Sequence, residues 1–305
     1  MFAVLAGSMA GVLFLLPRLA QAAPFLALPL GIAGLFSATP LLAVRISGRL
    51  PHAGVALATA LLLISVLEST ESAIGFTVLF GLWALLAGEV LSRRRSVIAA
   101  AVAGLAILSI EALLAGFVEG AAPIEATLRT PQVQASFDQW AVQAELEPAE
   151  AKAAIERVRT GIVALYPALS VISAMTIVAF NAIAIGRLVQ RRASASFPKG
   201  ELLLLRWPLT LVAAFVGSGA LLLLPSLQQV AWNGLVVTLF LFLLQGLSVM
   251  TFVLTRLFSN ELIRAMLVVS SLLGPWAILL SLLGLFDQWF DFRSRFIRAE
   301  TPAAP

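Results

Sequence analysis

Apolar runs of about 20 residues recur along the whole chain, separated by short polar breaks that carry most of the arginines. A helix of that length crosses a hydrocarbon layer of about 30 Å at about 1.5 Å per residue. The pattern predicts spans at about 2–16, 24–44, 51–67, 72–90, 96–118, 161–187, 207–227, 230–255 and 264–286. The last run holds Gly274-Pro275 near its middle. Proline removes a backbone donor there and crowds the preceding turn, so a kink or break is expected. Either nine spans cross whole, or this one divides into two half-spans beside eight full ones. The alternating ten-residue pattern of a membrane β-barrel is absent. The expected fold is an all-α, polytopic transmembrane helix bundle of 8–9 spans, one integral membrane domain over 1–305.

One stretch departs from the pattern. Residues 119–160 hold seven acids against four bases. Glu147-Pro148-Ala149-Glu150 reads as a helix start, with proline at the first helical position and acids in the first turn. Ala151, Ile155, Val158 and Ile162 then form an apolar stripe that can run straight into the sixth span. Val133, Phe137, Trp140 and Ala144 form a second stripe. This segment is expected to be an extracytoplasmic helical insertion of two amphipathic helices, acting as a packed cap, an interfacial anchor or a lid.

Composition agrees with the runs. The chain of 305 residues is 60% hydrophobic and 12% charged, against roughly 25% charged in soluble domains. A net charge of +4 would suit nucleic acid, but the bases sit in short loops, where they set orientation. One set of loops carries Arg45, Arg49, Arg93, Arg94, Arg95, Arg187, Arg191, Arg192, Lys199, Arg206, Arg256 and Arg264. That bias predicts a cytoplasmic N-terminus in a bacterial cytoplasmic (inner) membrane. The opening stretch, with Ala20-Gln21-Ala22, imitates a secretory signal; lacking a basic start and followed by further spans, it reads as the first span. No cysteine and a single histidine, His52, leave no thiol metal site, disulfide framework or Cys–His nucleophile. No Walker A motif appears, so no ATP-driven step is expected of the chain itself. No metal or cofactor is expected.

Polar residues inside apolar runs carry the remaining information, because lipid penalises them. Glu111, in AGLAILSIEALLAGF, is expected to pair, stay protonated or contact a ligand. The hairpin PSLQQVAWNG places Gln228 with Trp232, and Gln229 with Asn233, at i,i+4. That suits a flat neutral ligand, an interfacial belt or helix caps. Gln245 lies in a polar stripe with Thr238 and Ser248, beside Gly246; Asn181 is similar. Both suit interhelical bonding. Glu68 and Glu71 belong to a tight turn. On the first span, Ala6 and Ala10 overlap Gly7 and Gly11 as small residues four apart, suiting close approach of a helix from this chain or from a partner. The ligand candidates are Glu111, Gln228, Trp232, Asn233 and Gln245; the partner-interface candidates are Ala6, Gly7, Ala10 and Gly11.

The stretch GLFDQWFDFR near the C-terminus puts acids, bases and aromatics at the end of the last run. A continuous helix would pair Asp291 with Arg295, Trp289 with Arg293, and Phe286 with Phe290 at i,i+4. Asp287 is left without a partner at helical spacing.

Three stretches, LYPALSVISA, FLFLLQGLSVM and LLGLFDQWFDFR, resemble the YybS-like bacterial membrane proteins, a family of unknown function. The chain also looks distantly like the S-components of energy-coupling-factor vitamin transporters. That resemblance implies an outward small-molecule site and an Ala6-x-x-x-Ala10 surface for a transmembrane coupling protein with ATPases. The greater length, the extra spans and the 119–160 insertion depart from it. The leading expectation is an S-component-like small-molecule binding or uptake subunit that depends on a partner for energy. The alternative is a non-transporting membrane scaffold that organises partners. A lipid-acting enzyme ranks last, because no nucleophile with an acid/base partner is seen.

Overall fold

The computed structural model describes residues 1–19, 26–47, 50–94, 96–119, 122–191, 201–272 and 274–300. Ala20-Gln21-Ala22, Arg49, Arg95, Arg192 and Lys199 lie outside the described residues. Among the described residues the regular structure is entirely helical.

The helices are α1 (Phe2–Leu19), α2 (Ala27–Leu35), α3 (Thr39–Ser47), α4 (Leu50–Leu67), α5 (Thr70–Phe76), α6 (Trp83–Arg94), α7 (Val97–Glu119), α8 (Ala122–Leu128), α9 (Pro131–Gln143), α10 (Pro148–Ala164), α11 (Tyr166–Arg191), α12 (Thr210–Leu221), α13 (Gln228–Leu257), α14 (Glu261–Ser271), α15 (Trp276–Phe290) and α16 (Phe292–Glu300). A π-helical turn, Thr77–Leu82, joins α5 to α6. Six helical stretches among the described residues are long and apolar enough to cross a membrane: Phe2–Leu19, Pro29–Ser47, Leu50–Leu67, Thr70–Arg93, Tyr166–Leu188 and Pro225–Leu257. Counting α14 with α15 as one bent span gives seven.

The difference from eight or nine lies in two places. The run at 96–118 is helical from Val97 onward, but only Val97–Leu108 is an apolar helix among described side chains. The run at 207–227 yields only Thr210–Leu221, flanked by Pro208 and Pro225. Twelve residues reach about 18 Å, short of a full crossing. The break expected at Gly274-Pro275 is present: α14 and α15 meet at 100°, and Gly274 takes φ +61°, a conformation that glycine adopts without a Cβ penalty.

The first bundle is built on small residues. Ala6 and Ala10 of α1 are buried, and Gly7 and Gly11 face α4. A Cβ on Gly7 would lie 2.1 Å from the Ala56 carbonyl oxygen. Ala53, Ala56 and Ala60 are fully buried on the facing side of α4. The small-residue surface of the first span is thus filled from within the chain. Beside it, Phe14 meets Phe76 edge-on at 5.2 Å, and Phe76 stacks with Phe80. The π-turn sets the Trp83 ring, whose Nε1 donates to the Leu79 carbonyl at 2.8 Å, against α7. Gly104 of α7 leaves that ring its space, since a Cβ there would sit 2.8 Å from Trp83 Cε3. Ion pairs close the opposite ends of this bundle: Arg18 with Glu68, which also accepts from Ser72, and Arg45 with Glu89, which also holds Arg93.

The 119–160 insertion folds as three helices, α8 to α10. Val133 and Phe137 of the expected stripe are half-buried, while Trp140 is exposed and Ala141 takes the buried position. Ala151, Ile155 and Ile162 are half-buried, and Val158 is exposed. Helix α10 does not run straight into α11. It ends at Leu165, because Pro167 has no amide hydrogen and its ring crowds the carbonyl four residues back. No residue of α10 is buried.

Candidate functional site

The long helix α13 carries two polar junctions, about 18 Å apart along its axis as judged from the spacing of Asn233 and Gln245 at about 1.5 Å per residue. Each joins α13 to a break in another helix. Helix breaks leave carbonyls and amides without partners, and apolar surroundings make those groups costly.

The first junction is Asn233. Its Oδ1 accepts from the Ala168 amide at 2.8 Å. Its Nδ2 donates to the Ala164 carbonyl at 2.9 Å and to the Gln229 carbonyl at 2.8 Å. One neutral amide thereby bridges the gap between α10 and α11, and Gln229 adds a 3.5 Å bond to Ala164. Gln228 and Trp232 stay exposed on the same end of α13, and Gln228 donates to the Leu222 carbonyl at 3.5 Å.

The second junction gathers Gln245 and Ser248 of α13, Asp287 and Gln288 of α15, Arg293 of α16, and the backbone of Leu205 and Trp207. Asp287 is 1% exposed and Arg293 7%, so this is a buried ion pair. Arg293 Nη1 donates to Asp287 Oδ2 at 3.1 Å. Arg293 Nη2 donates to the Leu205 carbonyl at 2.9 Å and to Ser248 Oγ at 3.0 Å. Gln245 Nε2 reaches Asp287 Oδ2 at 3.1 Å, while its Oε1 accepts from the Trp207 amide at 3.0 Å and from Gln288 Nε2 at 3.1 Å. Gln288 also donates to the Trp207 carbonyl at 2.9 Å. Arg293 Nε has no hydrogen-bond partner among the described residues. Burial pushes the Arg293 guanidinium below its ordinary value, while Asp287 and Asp291 raise it. The group remains a cation at neutral pH.

Local backbone explains why the acid and base meet. Helix α15 stops at Asp291, which adopts φ 41° and ψ 64°. The chain turns there, and the Phe292 amide donates to Asp287 Oδ1 at 3.1 Å. This turn brings Arg293 back over Asp287, six residues earlier. Helical spacing had left Asp287 alone and given Arg293 to Trp289, and the turn overrides both. Asp291 instead lies 4.0 Å from Arg206, and Arg295 sits over the Phe290 ring at 5.4 Å. Phe286 and Phe290 do meet, at 6.2 Å.

Close backbone contact packs the two helices tightly beside the junction. A Cβ on Gly246 would sit 1.9 Å from the Leu280 carbonyl oxygen, and one on Gly284 would sit 2.0 Å from that of Phe242. Helices α13 and α15 therefore cross with their backbones touching, one turn from the ion pair.

The described ligand candidates do not form one site: Gln228, Trp232 and Asn233 share one end of α13, about 18 Å from Gln245. Gln245 and Asn233 are occupied at separate junctions, Gln228 and Trp232 are on the surface, and the Glu111 side chain lies outside the described residues. A space of about 10 Å³ beside Trp83 is apolar, and a recess of about 280 Å³ in the α14–α15 elbow is lined by Met250, Leu254, Leu267, Ser270, Ser271 and Trp276. Neither touches those candidates. Asn181 is structural in the same sense as Asn233: fully buried, it accepts from Thr39 at 2.7 Å and donates to the Leu35 and Ile177 carbonyls.

Sequence reading missed Asp287, Gln288, Arg293 and Trp207 as one group. Asp287 without a helical partner was the visible signal. No curated protein and no solved structure matches the chain. A family model described as "Predicted membrane protein (DUF2232)" matches residues 12–288. That match covers most of the chain, with α13, the Asn233 junction and Asp287 inside it and Arg293 beyond it, and the chain belongs to this family of predicted membrane proteins.

Proposed function

We propose that this chain is a non-transporting, partner-organising membrane protein whose α8–α10 arm is the contact element. One observation carries the reading: α10 runs for 17 residues with none buried, yet its base is held to α13 through Asn233. An amphipathic arm that is held at its base, with no fully buried residue on its longest helix, suits a partner surface. The exposed Trp140, Val142 and Val158 supply apolar anchors for it.

The uptake reading, an S-component-like subunit, draws on a different observation. Gln228 and Trp232 are exposed on the end of α13 where α10 joins α11, so the arm could close over a ligand held there. The surface formed by Ala6, Gly7, Ala10 and Gly11 is filled by α4, which leaves that face without room for a coupling protein. The resemblance to YybS-like proteins is compatible with either reading.

Mass spectrometry of the full chain purified in mild detergent separates them. The organising reading expects co-purified chains that are lost when Trp140 and Val142 are both changed to Ser. It also expects them to persist when Gln228 and Trp232 are both changed to Ala. A bound small molecule that is lost only with the second pair would overturn the organising reading in favour of uptake.

A further inference from the structure

The end of α15 and the turn into α16 form a rim of unusual composition. Phe286, Trp289, Phe290 and Phe296 are 46%, 57%, 45% and 40% exposed. Trp289, a large ring with one polar N–H, suits headgroup depth, and the phenylalanines beside it supply purely apolar surface. The cations beside them are the second observation. Arg293 is consumed internally by Asp287. Arg206 and Arg295 are exposed; Arg206 lies 4.0 Å from Asp291, and Arg295 follows four residues after it on α16.

Arg206 is tethered by a single bond from Nη2 to the Gln288 carbonyl at 3.0 Å. Its contact with the half-exposed Asp291 is 4.0 Å, a distance and exposure at which an ion pair contributes about 0–1 kcal/mol. Arg295 is steadied over Phe290 and makes no side-chain hydrogen bond among the described residues. Each guanidinium therefore keeps unused donors among the described residues, and the rim carries two exposed arginines against one half-exposed carboxylate. A guanidinium fork matches phosphate oxygens in a way an ammonium does not.

From this charge surplus set among exposed aromatics, we infer that the Arg206–Arg295 rim is a docking surface for anionic phospholipid headgroups. The phosphodiester would sit between the two guanidiniums, with the acyl chains running down the exposed face of Phe286 and Trp289. The occupant is a lipid because the cations border apolar rings, whereas a soluble anion would gain nothing from those rings. Lipid docking would also press α16 onto α13, adding an outer clasp to the Asp287–Arg293 pair.

The test is native mass spectrometry of the full chain, stripped of lipid in detergent and titrated with phosphatidylglycerol or phosphatidylcholine of matched acyl chains. Phosphatidylglycerol adducts are expected to dominate. Arg206→Gln and Arg295→Gln should each weaken that preference roughly 5-fold, the effect of one basic residue near an anionic surface. Arg157→Gln, on the arm, should leave it unchanged. Should Arg206→Gln misfold, Arg295→Gln alone carries the test, together with loss of the wild-type preference at high salt. Equal adducts of the two lipids would overturn the inference. So would an Arg157→Gln effect as large as the others, displacement of lipid by inorganic phosphate, or an acidic protein held at the rim against both lipids.

Discussion

The two junctions of α13 solve the same problem with different chemistry. At the α10–α11 break, one neutral asparagine satisfies three backbone groups. At the α15–α16 break, a buried carboxylate and guanidinium are ringed by Gln245, Gln288, Ser248 and two backbone carbonyls. The amide junction needs no second titratable group and buries no charge. The ionic junction is worth little while intact, because desolvation offsets attraction, yet it is severe to break. The difference places an ion-paired C-terminal turn at one end of α13 and an amide-bridged arm at the other.

The sharpest way to break this comparison is to remove one charge. Asp287→Asn should destabilise the protein in detergent by about 3–5 kcal/mol, because Arg293 would remain buried without its counter-charge. Asp287→Leu combined with Arg293→Met should recover most of that loss. Chemical denaturation followed by tryptophan fluorescence reads both. If the single variant unfolds like wild type, the pair is not buried as described.

A smaller effect is expected from the glycines. Gly284→Ala should cost about 1–3 kcal/mol through the clash with the Phe242 carbonyl. Gly217→Ala on α12, where a Cβ meets nothing within 4 Å, should be neutral or stabilise by up to about 1 kcal/mol. Equal thermal shifts for the two would show that α13 and α15 do not touch through their backbones.

The smallest effect falls on the amide junction. Asn233→Leu should cost about 1–2 kcal/mol, since the Ala164 carbonyl and Ala168 amide lose their partner. Its signature should be local, with faster hydrogen exchange over 148–168 and none added over 287–296. Faster exchange at both ends would mean that the two junctions are coupled rather than independent.

Much of the fold was legible from pattern alone, and particular residues show why. The Gly274-Pro275 break follows from covalent geometry, and the helix start at Pro148 from a missing amide hydrogen; both act within one turn of chain. The identity of Asn181 and Gln245 as interhelical groups was readable because lipid leaves a buried amide no other partner. Asp287 was readable only as an anomaly. Its partner depends on Asp291 turning left-handed, a conformation that local propensity disfavours for any residue with a Cβ and that the surrounding contacts hold in place.

The sequence by itself determined the class: a helical membrane protein, built from long apolar runs and pinned by arginines, with one amphipathic insertion. Those properties follow from hydropathy and backbone chemistry, which every residue carries locally. Only the tertiary structure decided which polar groups meet. It gave Asn233 to the α10–α11 break, Gln245 to Asp287, and the small face of α1 to α4. Those outcomes rest on contacts between segments far apart in the chain, where the desolvation of a buried polar atom, rather than its spacing along one helix, selects the partner.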